Sequence, residues 1–169
     1  MKFIPKTVVV LFLLGFVSTI CGQASAPANV AAALTLKILK YERNISSGGD
    51  VTIYVIGAPD VQSELTKGVG KPIGNSTLKA VDGGKGVPSS APSILFIGNA
   101  AQLEAATAYT QEQDIMSVTH NPDLVSRGAT LGIGVGDDGK PRIMINLTSS
   151  AEENLNWNSA IMKIATTID

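Results

Sequence analysis

His120 is the only histidine of the chain, and Ser117, Thr119 and Asp123 lie close to it in sequence. A hydroxyl, an imidazole and a carboxylate could in principle line up to activate a nucleophile. No nucleophile-elbow sequence accompanies them, however, so His120 is read as a loop residue at the end of a strand. A lone imidazole also cannot join a second one in a zinc site of the usual composition. Gly132, Gly134 and Gly136 alternate as in a dinucleotide-binding loop, but they sit in a strand entering a hairpin, whereas that loop must lead into a helix N-terminus. Their small size is read as close packing. In Gly68-Val69-Gly70-Lys71-Pro72 the Gly-Lys pair lacks a glycine five residues before Gly70, and Pro72 replaces the hydroxyl that would hold magnesium. No catalytic, metal or cofactor-binding residue is therefore assigned, and no cofactor is expected.

Four residues remain whose chemistry packing does not explain. Glu42, Arg43 and Asn44 follow the first helix, and a guanidinium beside an amide can bind a carboxylate or a partner's backbone. The alternative is local: Asn44 caps the helix in a left-handed conformation while Arg43 bonds its last carbonyls. Asn146 interrupts an apolar strand and must find hydrogen bonds if buried, which makes it a brace for a neighbouring loop more readily than a ligand contact. Glu42, Arg43, Asn44 and Asn146 are the candidate partner or ligand contacts.

The elements that must position them alternate between helical and strand periodicity. Residues 29–40 predict a helix with Ala31, Leu34, Ile38 and Tyr41 near one face, apolar enough to be buried on more than one side. A turn at 46–50 leads to a strand at 51–56, and Asp60 is placed to cap a helix over 61–67. Residues 68–90, rich in Gly, Ser and Pro, hold only a short strand at 77–81. The unbroken apolar run Ile94-Leu95-Phe96-Ile97 fits a central strand covered on both faces. A helix over 100–112, a strand at 115–119, a turn at 121–123 and a hairpin follow. A last helix is expected to place Trp157, Ile161, Ile164 and Ile168 on one stripe. The fold class is α/β, a single-domain mixed sheet flanked by helices, with a C-terminal β-hairpin followed by a helix.

Lys2 and Lys6 precede an apolar run from Val8 to Ile20 and then small residues through Ala26, the order of a cleaved secretory signal. The run is shorter than the about 20 apolar residues of a membrane span. Residues 1–26 are assigned to the signal and 27–169 to the domain, with cleavage between Gly22 and Ala26 and a cut after Gly22 or Ala24 preferred to one before Pro27. Cys21, the only cysteine, would serve as a lipidated terminus only if the bulky Ile20 were tolerated before it. Its loss with the signal leaves no thiol for disulfides, catalysis or metal. Three Asn-x-Ser/Thr sites, at Asn44, Asn75 and Asn146, would accept glycans in a eukaryotic secretory protein, but Asn146 lies in a strand expected to be buried, and a bacterial exported protein is the stronger reading. Lys plus Arg number 13 against 14 for Asp plus Glu, and aromatics make up 5%. That balance gives no basic face for nucleic acid or anionic lipid and few stacking platforms, so neither nucleic acid nor membrane insertion after processing is expected.

The closing stretch, from Gly128-Ala129-Thr130-Leu131-Gly132-Ile133 through Gly139-Lys140-Pro141-Arg142-Ile143-Met144-Ile145-Asn146-Leu147 into Asn158-Ser159-Ala160-Ile161-Met162-Lys163-Ile164-Ala165, resembles the end of YfiR-type periplasmic proteins. Those close with an F-x-I-N-L strand and a helix of the S-x-L-L-K-L-A kind. Lys37-Ile38-Leu39-Lys40-Tyr41-Glu42-Arg43-Asn44-Ile45 is similar to the L-x-Y-D-R-N-L segment of one branch, and Ile94 to Gly98 sits where that family has an apolar strand ending in Gly. The resemblance implies a YfiR-like sandwich and a periplasmic, non-catalytic regulator. Such a protein binds the periplasmic part of an inner-membrane signalling protein, classically a diguanylate cyclase, and holds it inactive. Self-association is left open. The disulfide-dependent behaviour associated with YfiR itself is not carried over, because Cys21 is the only cysteine. The rival expectation is a small-ligand binding module with a pocket at the carboxyl ends of the sheet.

Overall fold

Ile94-Leu95-Phe96-Ile97 is completely buried. In the computed structural model, which describes residues 24–169, it is strand β5 (Ile94–Ile97), in the interior of a nine-stranded sheet. Residues 1–23, which hold most of the proposed signal and Cys21, lie outside the described residues. Before β5 come β1 (Ala24–Ser25), helix α1 (Ala28–Leu39), β2 (Gly49–Ile56), α2 (Pro59–Thr66), β3 (Pro72–Ile73) and β4 (Ser76–Gly84). After it come α3 (Leu103–Glu112), β6 (Met116–Thr119), β7 (Leu131–Val135), β8 (Pro141–Asn146), α4 (Leu147–Glu152) and β9 (Thr166–Ile168). The sheet order is β3-β4-β2-β5-β6-β7-β8-β9, with β1 antiparallel to β7. Strands β4, β2, β5, β6 and β7 run parallel, β3 and β8 are antiparallel to their neighbours β4 and β7, and β9 runs parallel to β8.

Alternation along the strands builds two cores. Val51, Ile53, Val55, Ile94, Phe96, Met116, Val118, Leu131, Ile133 and Ile145 pack with buried residues of α1 and α2. Ile56, Leu95 and Ile97 point the other way, against Leu103 and Ala106 of α3 with Leu124 and Ala129 of the β6–β7 connection. This is why β5 has no wet face. In α1 the buried residues are Ala31, Ala32, Thr35, Ile38 and Leu39, all on one side of the helix, with Leu34 and Tyr41 only partly covered. The glycines of β7 are close-packing positions. A Cβ on Gly132 would meet Val125 Cγ2 at 2.2 Å, and one on Gly134 would meet Pro122 Cγ at 2.3 Å, both closer than atoms can approach.

Three local expectations are corrected. The hairpin is followed by a helix, but it is the short α4, and no helix runs through 157–168. That stretch holds a 3₁₀ turn (Ile161–Lys163) and β9. Asn154 takes a left-handed φ of 55° that ends the α4 turn, and Asn154, Asn156 and Asn158 are residues whose amides compete with helical bonding. Ile161 is buried while Ile164 is 57% exposed, so they do not share a core stripe. Asp60 does not cap α2, whose N-cap is Ala58 with no side-chain bond; it lies in the first turn, where a negative charge complements the helix dipole. Finally, Asn44 is not a left-handed cap: α1 ends in right-handed geometry at Lys40, and Asp114 and Asn154 are the non-glycine positive-φ positions among the described residues.

Candidate functional site

After α1 the chain turns into an elbow at Tyr41 to Ile45, and what fixes it is Glu42. Its side chain is completely buried. Oε2 accepts the Ile45 amide at 2.6 Å and Oε1 accepts the Asn156 amide at 2.7 Å. Two backbone bonds complete a short antiparallel clasp around Trp157: Arg43 N–H donates to the Asn156 carbonyl at 2.9 Å and Asn158 N–H to the Tyr41 carbonyl at 2.7 Å. A buried carboxylate is tolerable only where donors replace its water, and here backbone amides do so. Glu42 therefore has no surface to offer a partner.

Its two neighbours do. Arg43 and Asn44 are exposed. Among the described residues the ion pairs are Lys67–Glu64, Lys79–Asp50, and Asp138 with Lys140 and Arg142; Arg43 is in none of them. Asn44 lines a hollow of about 220 Å³ with Ile45, Gly48, Asp50, Val51, Ser93, Asp114 and Ile115, at the amino ends of β2 and β5. The arrangement is an outward guanidinium and an amide on a backbone fixed from behind. It can form charged hydrogen bonds with a carboxylate or with main-chain carbonyls.

Asn146 lies elsewhere and is inward. It is only 7% exposed, its Oδ1 accepts the Ser149 amide as the cap of α4, and its Nδ2 donates to the Val125 carbonyl at 2.9 Å. The structure thus separates Asn146 from the elbow and gives it a bracing position between α4 and the β6–β7 connection.

Sequence reasoning passed over Glu153. It is fully buried beyond α4, where its carboxylate accepts Thr110 Oγ1–H at 2.6 Å, Thr130 Oγ1–H at 2.6 Å and the Ser117 amide at 3.0 Å. Burial pushes its pKa above the ordinary glutamate range, against the pull of these donors. Glu42 and Glu153 together tie the 146–158 strap to the elbow after α1, to α3, to β6 and to Thr130 at the end of the β6–β7 connection. The signal was present in the run Glu152-Glu153 placed after an apolar strand, but nothing local distinguishes the buried glutamate from the exposed one. His120 stacks on Phe96 with ring centroids 5.8 Å apart. Burial lowers its pKa, partly offset by Asp60, and its Nδ1 is buried without a partner. Ser117 Oγ accepts the Thr130 amide, so it serves the β6–β7 connection and not the imidazole.

A second concavity lies over β2 and β4 on the α3 face. The β4–β5 connection contains no helix, so α3 covers the β5–β6 side and leaves this half of the face open. The result is a cleft of about 470 Å³ lined by Thr52, Tyr54, Asp82 and the loop from Val87 to Pro92. The carboxyl ends of β2 and β5, where an open sheet of this order would receive a ligand, are packed tightly. A Cβ on Gly98 would meet Ala58 Cβ at 2.3 Å, and one on Gly57 would meet Asn99 Cβ at 2.8 Å.

Among solved structures, the fold is similar to a conserved domain protein of Vibrio cholerae O1 biovar El Tor, with a TM-score of 0.56, 12% identity, and coverage of 85% of this chain and 60% of that one. It is also similar to the ABC domain of Streptococcus pneumoniae described in complex with L-Trp, with a TM-score of 0.56, 10% identity, and coverage of 82% and 60%. At these identities the likeness concerns the fold alone, and this chain spans about 60% of the length of each. No curated protein matches the sequence. The family model for YfiR/HmsC-like proteins matches residues 28–166, from the first residue of α1 into β9, and the chain belongs to that family.

Proposed function

We propose that the protein is an exported regulator that binds the periplasmic part of an inner-membrane signalling protein, a diguanylate cyclase being the favoured kind, through the Arg43–Asn44 elbow. Family membership suggests a periplasmic regulatory protein. The observation that carries the choice of surface is the pairing of an exposed Arg43 with a buried Glu42 that immobilises its backbone. A fixed elbow loses little backbone freedom on docking, and a charged hydrogen bond to a partner carboxylate contributes about 1.5–3 kcal/mol. Regulation follows if the partner has two states and only one presents that carboxylate to Arg43, because a ligand shifts an equilibrium only by its difference in affinity for the two states.

The test is site-specific photo-crosslinking in living cells, with a benzophenone side chain at position 43 and a control on the exposed Glu104 of α3. The proposal expects a membrane-protein adduct from position 43 and none from position 104. Equal labelling from both, or none from either, contradicts it. A second reading, a small-ligand binding module, is favoured by the cleft over β2 and β4. A ligand retained through purification, seen by native mass spectrometry and lost on Tyr54→Ala, would support that reading.

A further inference from the structure

We propose that the cleft over β2 and β4 binds a small organic cation, an ammonium carried on a flat apolar body. Its floor is the half of the sheet that α3 leaves open, and its wall is the β4–β5 loop from Val87 to Pro92. That wall is held where it meets the sheet: Thr52 N–H donates to Ser93 Oγ and Ser93 N–H to Thr52 Oγ1, each at 3.1 Å. Pro88 and Pro92 restrict the backbone leading to this anchor, and Pro92 is itself buried. A wall fixed in this way loses little freedom when a ligand enters. At about 470 Å³ the space falls in the range of small-molecule sites.

Two side chains on the floor select the ligand. Tyr54 of β2 and Asp82 of β4 are register partners in adjacent parallel strands, and both line the cleft. The phenol reaches along the sheet over Gly84, where a Cβ would meet Tyr54 Oη at 2.2 Å, so the glycine is what leaves room for it. Among the described residues neither Tyr54 Oη nor the Asp82 carboxylate has a hydrogen-bond or ion-pair partner, and the lysine of the same strand, Lys79, pairs with Asp50 instead. Asp82 is the only charged residue lining the cleft. An unanswered carboxylate attracts a cation and repels an anion, and the tyrosine ring beside it offers a face to a flat apolar group or to the cation itself. The inference rests on the ligand-binding reading of this cleft, supplies the ligand class that reading lacks, and is independent of the elbow.

Phenethylamine, phenethyl alcohol and hydrocinnamate share a ring and a two-carbon stem and differ in charge. Each is titrated at neutral pH into the protein purified after export, with binding read from backbone amide shifts in NMR spectra. Phenethylamine should shift the amides of Thr52, Tyr54, Ser89 and Ser90 and bind several-fold more tightly than the alcohol, with hydrocinnamate weakest. Asp82→Asn should remove the preference for the amine and leave the alcohol's affinity unchanged. Gly84→Ala, which displaces the phenol without touching the charge, should weaken amine and alcohol alike. A lysine amide with its α-amine acetylated presents an ammonium as a partner protein would, and it should bind more weakly than phenethylamine; equal or tighter binding overturns the small-ligand assignment. Equal affinities for amine and alcohol in the cleft, or an amine preference that survives Asp82→Asn, overturn the cation and leave the cleft a binding site. Absence of cleft shifts with all three compounds overturns the proposal together with the ligand-binding reading.

Discussion

Glu42 Oε1 and the backbone amide of Asn156 lie 2.7 Å apart although 114 positions separate them in sequence. This bond turns a candidate contact residue into the anchor of the contact surface. The carboxylate also holds the Ile45 amide, so one buried side chain fixes both the elbow and the strap that crosses it. Replacing it leaves two backbone donors with no acceptor. Glu42→Ala should cost about 2–4 kcal/mol, read as a lowered midpoint in urea unfolding with an unchanged slope. Glu42→Gln should lie between, because its amide oxygen serves one donor while its NH₂ faces the other. A Glu42→Ala protein as stable as wild type would show that the clasp contributes nothing.

Glu153 gives the fold a pH dependence of predictable sign. Burial raises its native pKa above the ordinary 4.5, so the folded protein holds this proton more tightly than the unfolded chain does. The stability it contributes is complete below about 4.5 and is lost as pH rises through the elevated native value. Glu153→Gln titrates nowhere, and wild type should therefore lose stability relative to this variant as pH climbs from 4.5. His120 acts in the opposite direction: its lowered pKa makes its contribution fall as pH drops below 6.5 toward the native value. Both proteins carry His120, so the difference between them cancels its effect. A difference that is flat with pH, or rises, contradicts the assignment.

Ile161 and Ile164 separate the observed C-terminus from the expected helix. Ile161 is fully buried, and truncating it to Ala should cost about 2–5 kcal/mol through lost transfer energy and the cavity left behind. Ile164 is 57% exposed, and Ile164→Ala should change stability by no more than about 0.5 kcal/mol. Paired thermal or urea unfolding checks both. Comparable losses at the two positions would restore the helical stripe.

Much of the fold was legible because period and burial coincide in it. The four-residue run of β5 had only one way to be satisfied, and the α1 register, the strand at β6 and the β7–β8 hairpin followed from their own residues. The strap was not legible for a physical reason. Trp157, Ile161, Ile164 and Ile168 share a helical spacing, but bonds from distant residues determine their conformation, Glu42 to Asn156 and Glu153 to Thr110, Ser117 and Thr130. The three alternating asparagines were the local warning. The elbow was found by its position after α1, yet which of its residues faces out depended on the same long-range bond.

The start of the exported protein is a further expectation. Ala24 and Ser25 form β1 against Val135 and Gly134, and the Ala26 amide donates to the His120 carbonyl at 3.0 Å. A cut after Ala24 or Ala26 would remove part of this pairing, whereas a cut after Gly22 keeps all of it. Intact mass of the exported protein should correspond to a chain beginning at Gln23 without lipid. A start at Ser25 or later, or a diacylglyceryl mass on Cys21, contradicts this.

Intracellular cyclic di-GMP tests the regulatory account most directly, measured in a strain deleted for this protein and complemented with wild type, Arg43→Lys or Arg43→Glu. Each variant's export and thermal unfolding are followed in parallel. The account predicts that deletion raises the nucleotide and wild type returns it to its starting level. Arg43→Lys should do so in part, and Arg43→Glu should fail although it is exported and folds normally. Full restoration by Arg43→Glu, or a deletion that leaves the nucleotide unchanged, would contradict it.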